Sequence, residues 1–110
     1  MLLYRFDHIN EITIPNLNGG EGTVSAKMFM DTQNKVMMSR IPPGSSIGLH
    51  QHTVSSEINY VLSGVGKAVC DEIEEELLAG NCQYCPKGSS HSIINTGTEE
   101  LVLFTVVPQQ

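Results

Sequence analysis

Three side chains that favour divalent transition metals lie within residues 44–64, which read GSSIGLHQHTVSSEINYVLSG. They are His50, His52 and Glu57, and a fourth candidate, His91, lies further along the chain. Side chains two residues apart in a strand project to the same face, so His50 and His52 can converge on one ion. The small and polar residues 53–56 predict a turn that brings Glu57 back toward both histidines.

These residue types indicate a class of metal ion without choosing one. Imidazole and carboxylate suit Mn, Fe, Co, Ni, Cu or Zn. A single His-x-His pair is weak, because histidines on exposed strands are common, but three of the four histidines in the chain belong to this set. Structural zinc sites are usually closed and rich in thiolates, and the absence of cysteine from these candidate ligands disfavours a zinc-stabilised structural domain.

The elements that must position these residues are predicted to be strands. Helical periodicity is almost absent, and short runs of alternating apolar residues are separated by Gly, Pro, Asn and Ser. This pattern predicts an all-β sandwich or barrel. The predicted strands cover residues 11–14, 23–30, 35–41, 47–52, 57–62, 67–70, 73–78, 81–85, 91–94 and 101–107.

Length and charge limit the classes of function. The 110 residues predict one domain with a single core. No run of 18 apolar residues is present, and Arg5 and Asp7 interrupt the start of the chain. We therefore expect a cytoplasmic protein with neither a signal peptide nor a membrane partner. The net charge of -6 and the lack of a basic patch exclude nucleic acid as an expected partner.

Two other clusters of potential ligands are interpreted as structural. Cys70, Cys82 and Cys85 make an odd count, so structural disulfides are not expected. Cys82 and Cys85 have C-x-x-C spacing, but a strand would direct the two thiols to opposite faces. The acidic run 71–76 lacks the alternating oxygen ligands and the glycine of a calcium loop, and predicts a solvated hairpin.

Two stretches of the chain resemble the conserved motifs of the cupin superfamily. The first has the fixed positions Gly44, His50, His52, Glu57 and Gly64, and the second has Gly80, Pro86, Gly88, His91 and Asn95. Every fixed position of both motifs is present, and the 15 residues between Gly64 and Gly80 are similar to the gap in the shortest members.

The resemblance implies a fold and a set of roles. The fold would be a double-stranded β-helix, or jelly roll, forming one cupin domain over residues 1–110. Its parts would be an amino-terminal arm and loop at 1–22, the first motif at 44–64 and the second at 80–95. The implied metal ligands are His50, His52, Glu57 and His91. The motif glycines would occupy turns with positive φ, Pro86 would end a strand, and Asn95 would brace a turn.

Strand alternation suggests residues of a substrate pocket. If Glu57 points inward, Asn59 does so too, while Ile58 and Tyr60 face outward. The inward face of the strand that ends at Pro86 would include Tyr84, with Gln83 on the opposite face. Asn59 and Tyr84 are therefore candidates for the substrate pocket. The open alternative is that both are packed locally. A register slip of one residue would invert either assignment.

The function implied by the resemblance is that of a small metalloenzyme. It would be oxygenase-, decarboxylase- or isomerase-like, and dioxygenase-like chemistry with Mn or Fe is favoured over Ni, Co, Zn or Cu. The substrate would be a small organic acid or diketone, and no general base stands out beyond the ligands. The alternative is a non-catalytic cupin that binds a sugar or metabolite. A homodimer is expected, because a twofold partner would cover the arm and the short sheet edges.

Overall fold

Ten strands make up most of the computed structural model, which describes residues 3–110. Met1 and Leu2 of the predicted arm lie outside the described residues. The strands are β1 Ile12–Pro15, β2 Thr23–Met30, β3 Asn34–Ile41, β4 Ser46–Gln51, β5 Glu57–Ser63, β6 Val65–Cys70, β7 Ile73–Leu78, β8 Cys82–Cys85, β9 Ser90–Asn95 and β10 Leu101–Pro108. Two short 3₁₀ turns cover Phe6–His8 and Leu17–Gly19.

The strands form two antiparallel sheets. One sheet has six strands in the order β1-β2-β3-β10-β5-β8, and the other has four in the order β4-β9-β6-β7. The final strand β10 lies between β3 and β5, and β9 lies between β4 and β6, so the chain crosses repeatedly from one sheet to the other. The predicted all-β jelly roll is confirmed. Within residues 3–110, no helix has the length and apolarity needed to cross a membrane.

The apolar core lies between the inner faces of the two sheets. Along β10, Leu101 and Leu103 are fully buried, and residues of both sheets pack against them. Burying each such aliphatic side chain contributes about 1.5–3 kcal/mol to folding. The cluster consists of Val24, Ile41, Ile47, Val61, Ala68, Leu77, Ile93, Leu101 and Leu103.

The interior changes from apolar to polar along β5. Val61 belongs to the core, Asn59 is buried one step away, and Glu57 begins the strand at the polar end. Ile58 and Tyr60 are exposed on the outer face, as the alternation predicted. One end of the barrel therefore supplies stability, and the other end places polar side chains in its interior.

The second motif ends in a turn that Asn95 holds together. The Asn95 Nδ2 donates to the carbonyl oxygens of Ile41 at 2.7 Å and Glu99 at 2.8 Å, and its Oδ1 accepts from the Gly97 amide at 2.8 Å. The expected bracing role is confirmed. The predicted positive φ is also confirmed for the motif glycines Gly44, Gly64, Gly80 and Gly88.

The described part of the arm packs on the outer face of the six-stranded sheet. Tyr4 stacks on Phe29 with ring centroids 4.5 Å apart, and Phe6 contacts Phe29 and Phe104 edge to face. Arg40 on β3 pairs with Glu11 of the arm. The arm therefore covers part of the sheet of its own chain.

Candidate metal centre

The strands β4 and β9 place two of the candidate ligands side by side. His50 and His91 are direct partners in the β4–β9 pairing, next to a register shift that begins at Ile47. His52 comes directly after β4, and the turn at residues 53–56 leads to Glu57, the first residue of β5. The structure thus brings together all four side chains, which come from β4, the residue that follows it, the start of β5 and β9.

The donor atoms converge on one point. The Nε2 atoms of His50, His52 and His91 lie 3.1 Å from one another. The Glu57 carboxylate approaches this trio, with Oε2 3.0 Å from His91 Nε2 and Oε1 3.3 Å from His52 Nε2. All four potential ligand atoms lie within 4.8 Å of one another.

The hydrogen bonds of the Nδ1 atoms determine whether the converging Nε2 atoms carry a proton. Nδ1 of His50 lies 2.7 Å from the Gly48 carbonyl oxygen, and Nδ1 of His91 lies 3.3 Å from Gln83 Oε1. Oxygen acceptors place the proton on Nδ1, which leaves each Nε2 as an acceptor facing the centre. Lone pairs and a carboxylate that face one another repel, and a cation between them removes that repulsion. The donor set therefore fits a divalent metal ion.

The spacing is that of ligands to one ion. Nitrogen and oxygen donors lie about 2.0–2.2 Å from a transition-metal ion, so neighbouring donors of one ion are about 3–3.5 Å apart. The separation of 3.1 Å between the ring nitrogens lies in this range.

Burial and hydrogen bonds keep the cluster in its ligating form. The side chain of His91 is fully buried, and those of His52 and Glu57 are each 13% exposed. Burial opposes ionisation of Glu57, but in the metal-free protein the hydrogen bond and charge of protonated His91, with a hydrogen bond from Asn59, lower the pKa of Glu57 to about 2. The proton on His91 Nε2 and a metal ion are alternative partners of this carboxylate. Burial lowers the pKa of His52, and the Glu57 charge only partly opposes this. A neutral imidazole and an ionised carboxylate are the forms that bind metal.

A second layer of polar side chains orients the cluster. Asn59 Nδ2 donates to Glu57 Oε2 at 2.8 Å and to Gln83 Oε1 at 3.1 Å, while its Oδ1 accepts from the Thr105 hydroxyl at 2.6 Å. Gln83 Oε1 in turn faces His91. The predicted inward orientation of Asn59 is therefore observed. Gln83 and Thr105 are its partners from neighbouring strands, which the pattern of residues along β5 does not reveal.

The strand face predicted for Tyr84 is wrong. Gln83 is buried, whereas the Tyr84 side chain is 56% exposed. In the β5–β8 pairing Gln83 lies opposite the inward Asn59, and Tyr84 lies opposite the outward Ile58. This register determines which side chains of β8 face inward. Tyr84 lines a separate cleft with Cys70 and Cys82. The thiols of Cys82 and Cys85 face opposite sides, as expected, since Cys82 is exposed and Cys85 is buried.

A cavity of about 240 Å³ opens beside the cluster. His50, His52, Glu57 and Asn59 line one part of it. Apolar side chains of β2, β3 and the turn at Leu17–Gly19 form most of the remaining wall. Lys35 of β3 also lines it and was not anticipated, although it alternates in phase with the inward Ser39.

Comparison with known proteins gives the same fold and names a ligand for one relative. The chain is 33% identical over 112 residues to the Oxalate-binding protein of Thermotoga maritima, covering 96% of this chain and 93% of that protein. It is 38% identical over 61 residues to an uncharacterized protein of Methanocaldococcus jannaschii, covering 56% of this chain and 49% of that protein.

Two solved structures superpose over almost the whole chain. The crystal structure of a predicted oxalate decarboxylase from Thermotoga maritima matches with a TM-score of 0.93 and 30% identity, covering 99% of this chain and 100% of that one. A cupin domain from Schizosaccharomyces pombe matches in fold with a TM-score of 0.81 and 13% identity, covering 99% of this chain and 74% of that one. The family model for the cupin domain matches residues 37–107. The motifs, the two-sheet barrel and this match show that the chain belongs to the cupin family.

Proposed function

We propose that His50, His52, Glu57 and His91 bind one divalent transition metal ion. The observation that carries this proposal is the convergence of three Nε2 atoms 3.1 Å apart, with the Glu57 carboxylate oxygens 3.0 Å and 3.3 Å from the Nε2 atoms of His91 and His52. Mn and Fe are favoured, because ligand sets of imidazole and carboxylate that leave open positions are typical of these ions, while Ni, Co, Zn and Cu also accept these ligands. Four protein donors would leave two positions of an octahedral ion for a ligand.

We propose that the ligand at this site is a small organic acid of the oxalate class. A cavity of about 240 Å³ is smaller than the roughly 300–1,000 Å³ of pockets for drug-sized ligands. The name of the Thermotoga relative supports a dicarboxylate of this size. When bound, the metal ion supplies a Lewis acid that polarises the oxygen atoms of such a ligand.

The residues of this chain would prepare the site for turnover of that ligand. Asn59 lines the cavity and keeps the Glu57 carboxylate ionised and oriented through its hydrogen bond. Met28 and Met37 also line the cavity, and their thioether side chains make that part of its wall apolar. The reaction classes that suit this arrangement are decarboxylation, oxygenation or isomerisation of a small organic acid or diketone.

The second candidate function is binding of the same ligand without turnover. The titratable side chains that line the cavity within residues 3–110 are His50, His52, Glu57 and Lys35. The first three are the proposed ligands, so no separate carboxyl or imidazole is placed to transfer a proton. This observation favours binding, as does the name of the relative.

Elemental analysis of purified protein tests the metal site. We expect about one divalent ion per chain, and His52→Ala should lose most of it. Unchanged stoichiometry in that variant would contradict the ligand assignment.

Turnover assays distinguish the two candidate functions. The metal-loaded protein is incubated with oxalate, and formate and carbon dioxide are measured. Oxygen uptake is then followed with diketones and 2-oxo acids. Product formation that the His52→Ala variant lacks supports an enzyme. Saturable binding of oxalate by calorimetry with no product in any assay supports the binding protein.

We also propose a single domain over residues 1–110, with the arm and motifs at the predicted boundaries, and a homodimer. Ile58, Tyr60 and Leu62 of β5 are exposed together on the outer face of the six-stranded sheet, beside Tyr84 of β8. Adjacent apolar side chains exposed on one sheet face are typical of an interface. This patch supports the dimer more directly than the arm does, because the arm packs on its own chain.

A further inference from the structure

Lys35 lies on the inner face of β3, at the end of the strand that faces the cavity. Along this strand Ser39 and Ile41 are buried inward, and Met37 lines the cavity in the same phase. Lys35 is half-buried and lines the cavity that also contains His50 and Glu57. An inward lysine departs from the expected pattern of a jelly-roll strand, whose inner positions are usually apolar.

No carboxylate in the described part of the chain forms an ion pair with Lys35. Arg40 pairs with Glu11 and Glu100, and Lys67 pairs with Glu74. A partly buried charge without a partner costs free energy, because it gives up water and gains no opposite charge. An anionic ligand in the cavity would supply the opposite charge that the protein does not.

The charges around the cavity specify the charge of that ligand. A divalent ion beside the Glu57 carboxylate leaves one positive charge, and the Lys35 ammonium adds a second. The cavity would thus be positive within a chain whose net charge is -6.

We infer that Lys35 recognises the second negative charge of a small dianion, a dicarboxylate whose other oxygens face the histidine–glutamate cluster. This inference rests on the proposed metal site, and it assigns to Lys35 the discrimination between dianionic and monoanionic ligands. Lysine suits this task, since its ammonium is a compact charge on a flexible stem that can reach carboxylate oxygens in a small cavity.

Oxalate and oxamate provide a matched pair of probes, because they have nearly the same shape and differ by one negative charge. Dissociation constants for both are measured by calorimetry on the metal-loaded protein. Lys35→Met should weaken oxalate binding by about tenfold or more, the range expected for loss of a charge-assisted hydrogen bond. Oxamate binding should change by less than about threefold, a screened-charge effect. Lys35→Arg should retain the preference for oxalate.

Lys27→Met is the control, since it removes the same charge from β2. Lys27 lies near Glu11 and Phe6 on the outer side of the sheet, outside the cavity. Equal weakening of both probes by Lys35→Met, or a metal-loaded wild type that does not distinguish them, would overturn the inference. Metal content is measured first in each variant, so failure of the metal site is recognised separately as absence of metal from the wild type.

Discussion

Asn59 and Gln83 lie directly opposite each other on β5 and β8, and the Asn59 amide donates to Gln83 Oε1 at 3.1 Å. Both side chains are buried, and the same Gln83 oxygen lies 3.3 Å from His91 Nδ1. One cross-strand pair thereby links the carboxylate and an imidazole of the candidate metal centre. Such outer partners fix the tautomer and direction of a ligating histidine.

Gln83→Met should weaken metal binding while leaving the barrel folded. The change removes the Oε1 acceptor that faces both His91 Nδ1 and the Asn59 amide. It breaks no hydrogen bond of Gln83 Nε2, which has no partner within residues 3–110. We expect the metal dissociation constant to rise by about 10–100-fold, measured by competition with a chelator. Tyr84→Phe is the control on the outer face of the same strand and should bind metal as the wild type does. Equal affinity in Gln83→Met and wild type would show that Gln83 does not position His91.

Acid should release the metal below the ordinary titration range of histidine. Protons compete with the ion for the imidazole nitrogens, and the lowered pKa of His52 means that this competition begins at a lower pH than the usual value of about 6.5. Equilibrium dialysis from pH 7.5 to 4 measures bound metal at each pH. Release with a midpoint above about 6.5 contradicts the role of burial at His52.

Stability of the metal-free protein should fall in acid because of Glu57. The pKa of Glu57 is lowered from 4.5 to about 2, so the folded state binds this proton less readily than the unfolded state does. Its contribution to the free energy of unfolding is present above pH 4.5 and is lost as pH falls toward 2. Urea unfolding of wild type and Glu57→Gln at pH 7 and pH 3 should show a smaller difference at pH 3. A difference that is constant with pH would be the contrary result.

Asn95→Ala should destabilise the fold without altering the chemistry of the cluster. The change leaves the Ile41 and Glu99 carbonyl oxygens and the Gly97 amide without their Asn95 partner. Each buried group left unsatisfied costs about 1–3 kcal/mol, so a loss of at least about 2 kcal/mol is expected in chemical denaturation. Metal stoichiometry per folded molecule should stay at the wild-type value. Wild-type stability in this variant would mean that the turn does not depend on its bracing residue.

Tyr60→Glu should convert the proposed dimer to a monomer. A carboxylate at the centre of the outer apolar patch would be desolvated at an interface without a partner. Sedimentation equilibrium at micromolar concentration measures the mass. Leu49→Glu is the matched control, because Leu49 is exposed on β4 of the other sheet. Wild-type protein with the mass of a single chain would exclude the dimer at that concentration.

The sequence predicts the four clustered side chains well and the phase of one strand badly. Each of the four side chains lies at a fixed distance along the sequence from a glycine that forms a turn. The strands that these turns connect make up the barrel around His50, His52, Glu57 and His91. Which residues of β8 face inward depends on its pairing with β5, and no residue near Pro86 reveals that pairing. Alternation alone therefore predicts the wrong face for Tyr84. Register is a property of two strands, whereas alternation is a property of one.

The inward orientation of Lys35 can be predicted from the sequence in the same way. It precedes Met37 and Ser39 in steps of two, so its inward phase follows from the alternation of β3 alone. Its importance depends on what shares its cavity, and residues 35 and 57 come together only through the order of strands in the folded sheet. The local pattern indicates where such a side chain points, and the topology decides which other groups it meets.

The position of β10 between β3 and β5 has a consequence for how the protein is made. Until this strand has left the ribosome, β3 and β5 have no neighbour to join them, and the six-stranded sheet remains in two parts. Thr105, which orients Asn59, belongs to this late strand. The nascent chain should therefore acquire the ability to capture metal only after β10 has emerged, when the pairing of this strand with two earlier strands is complete.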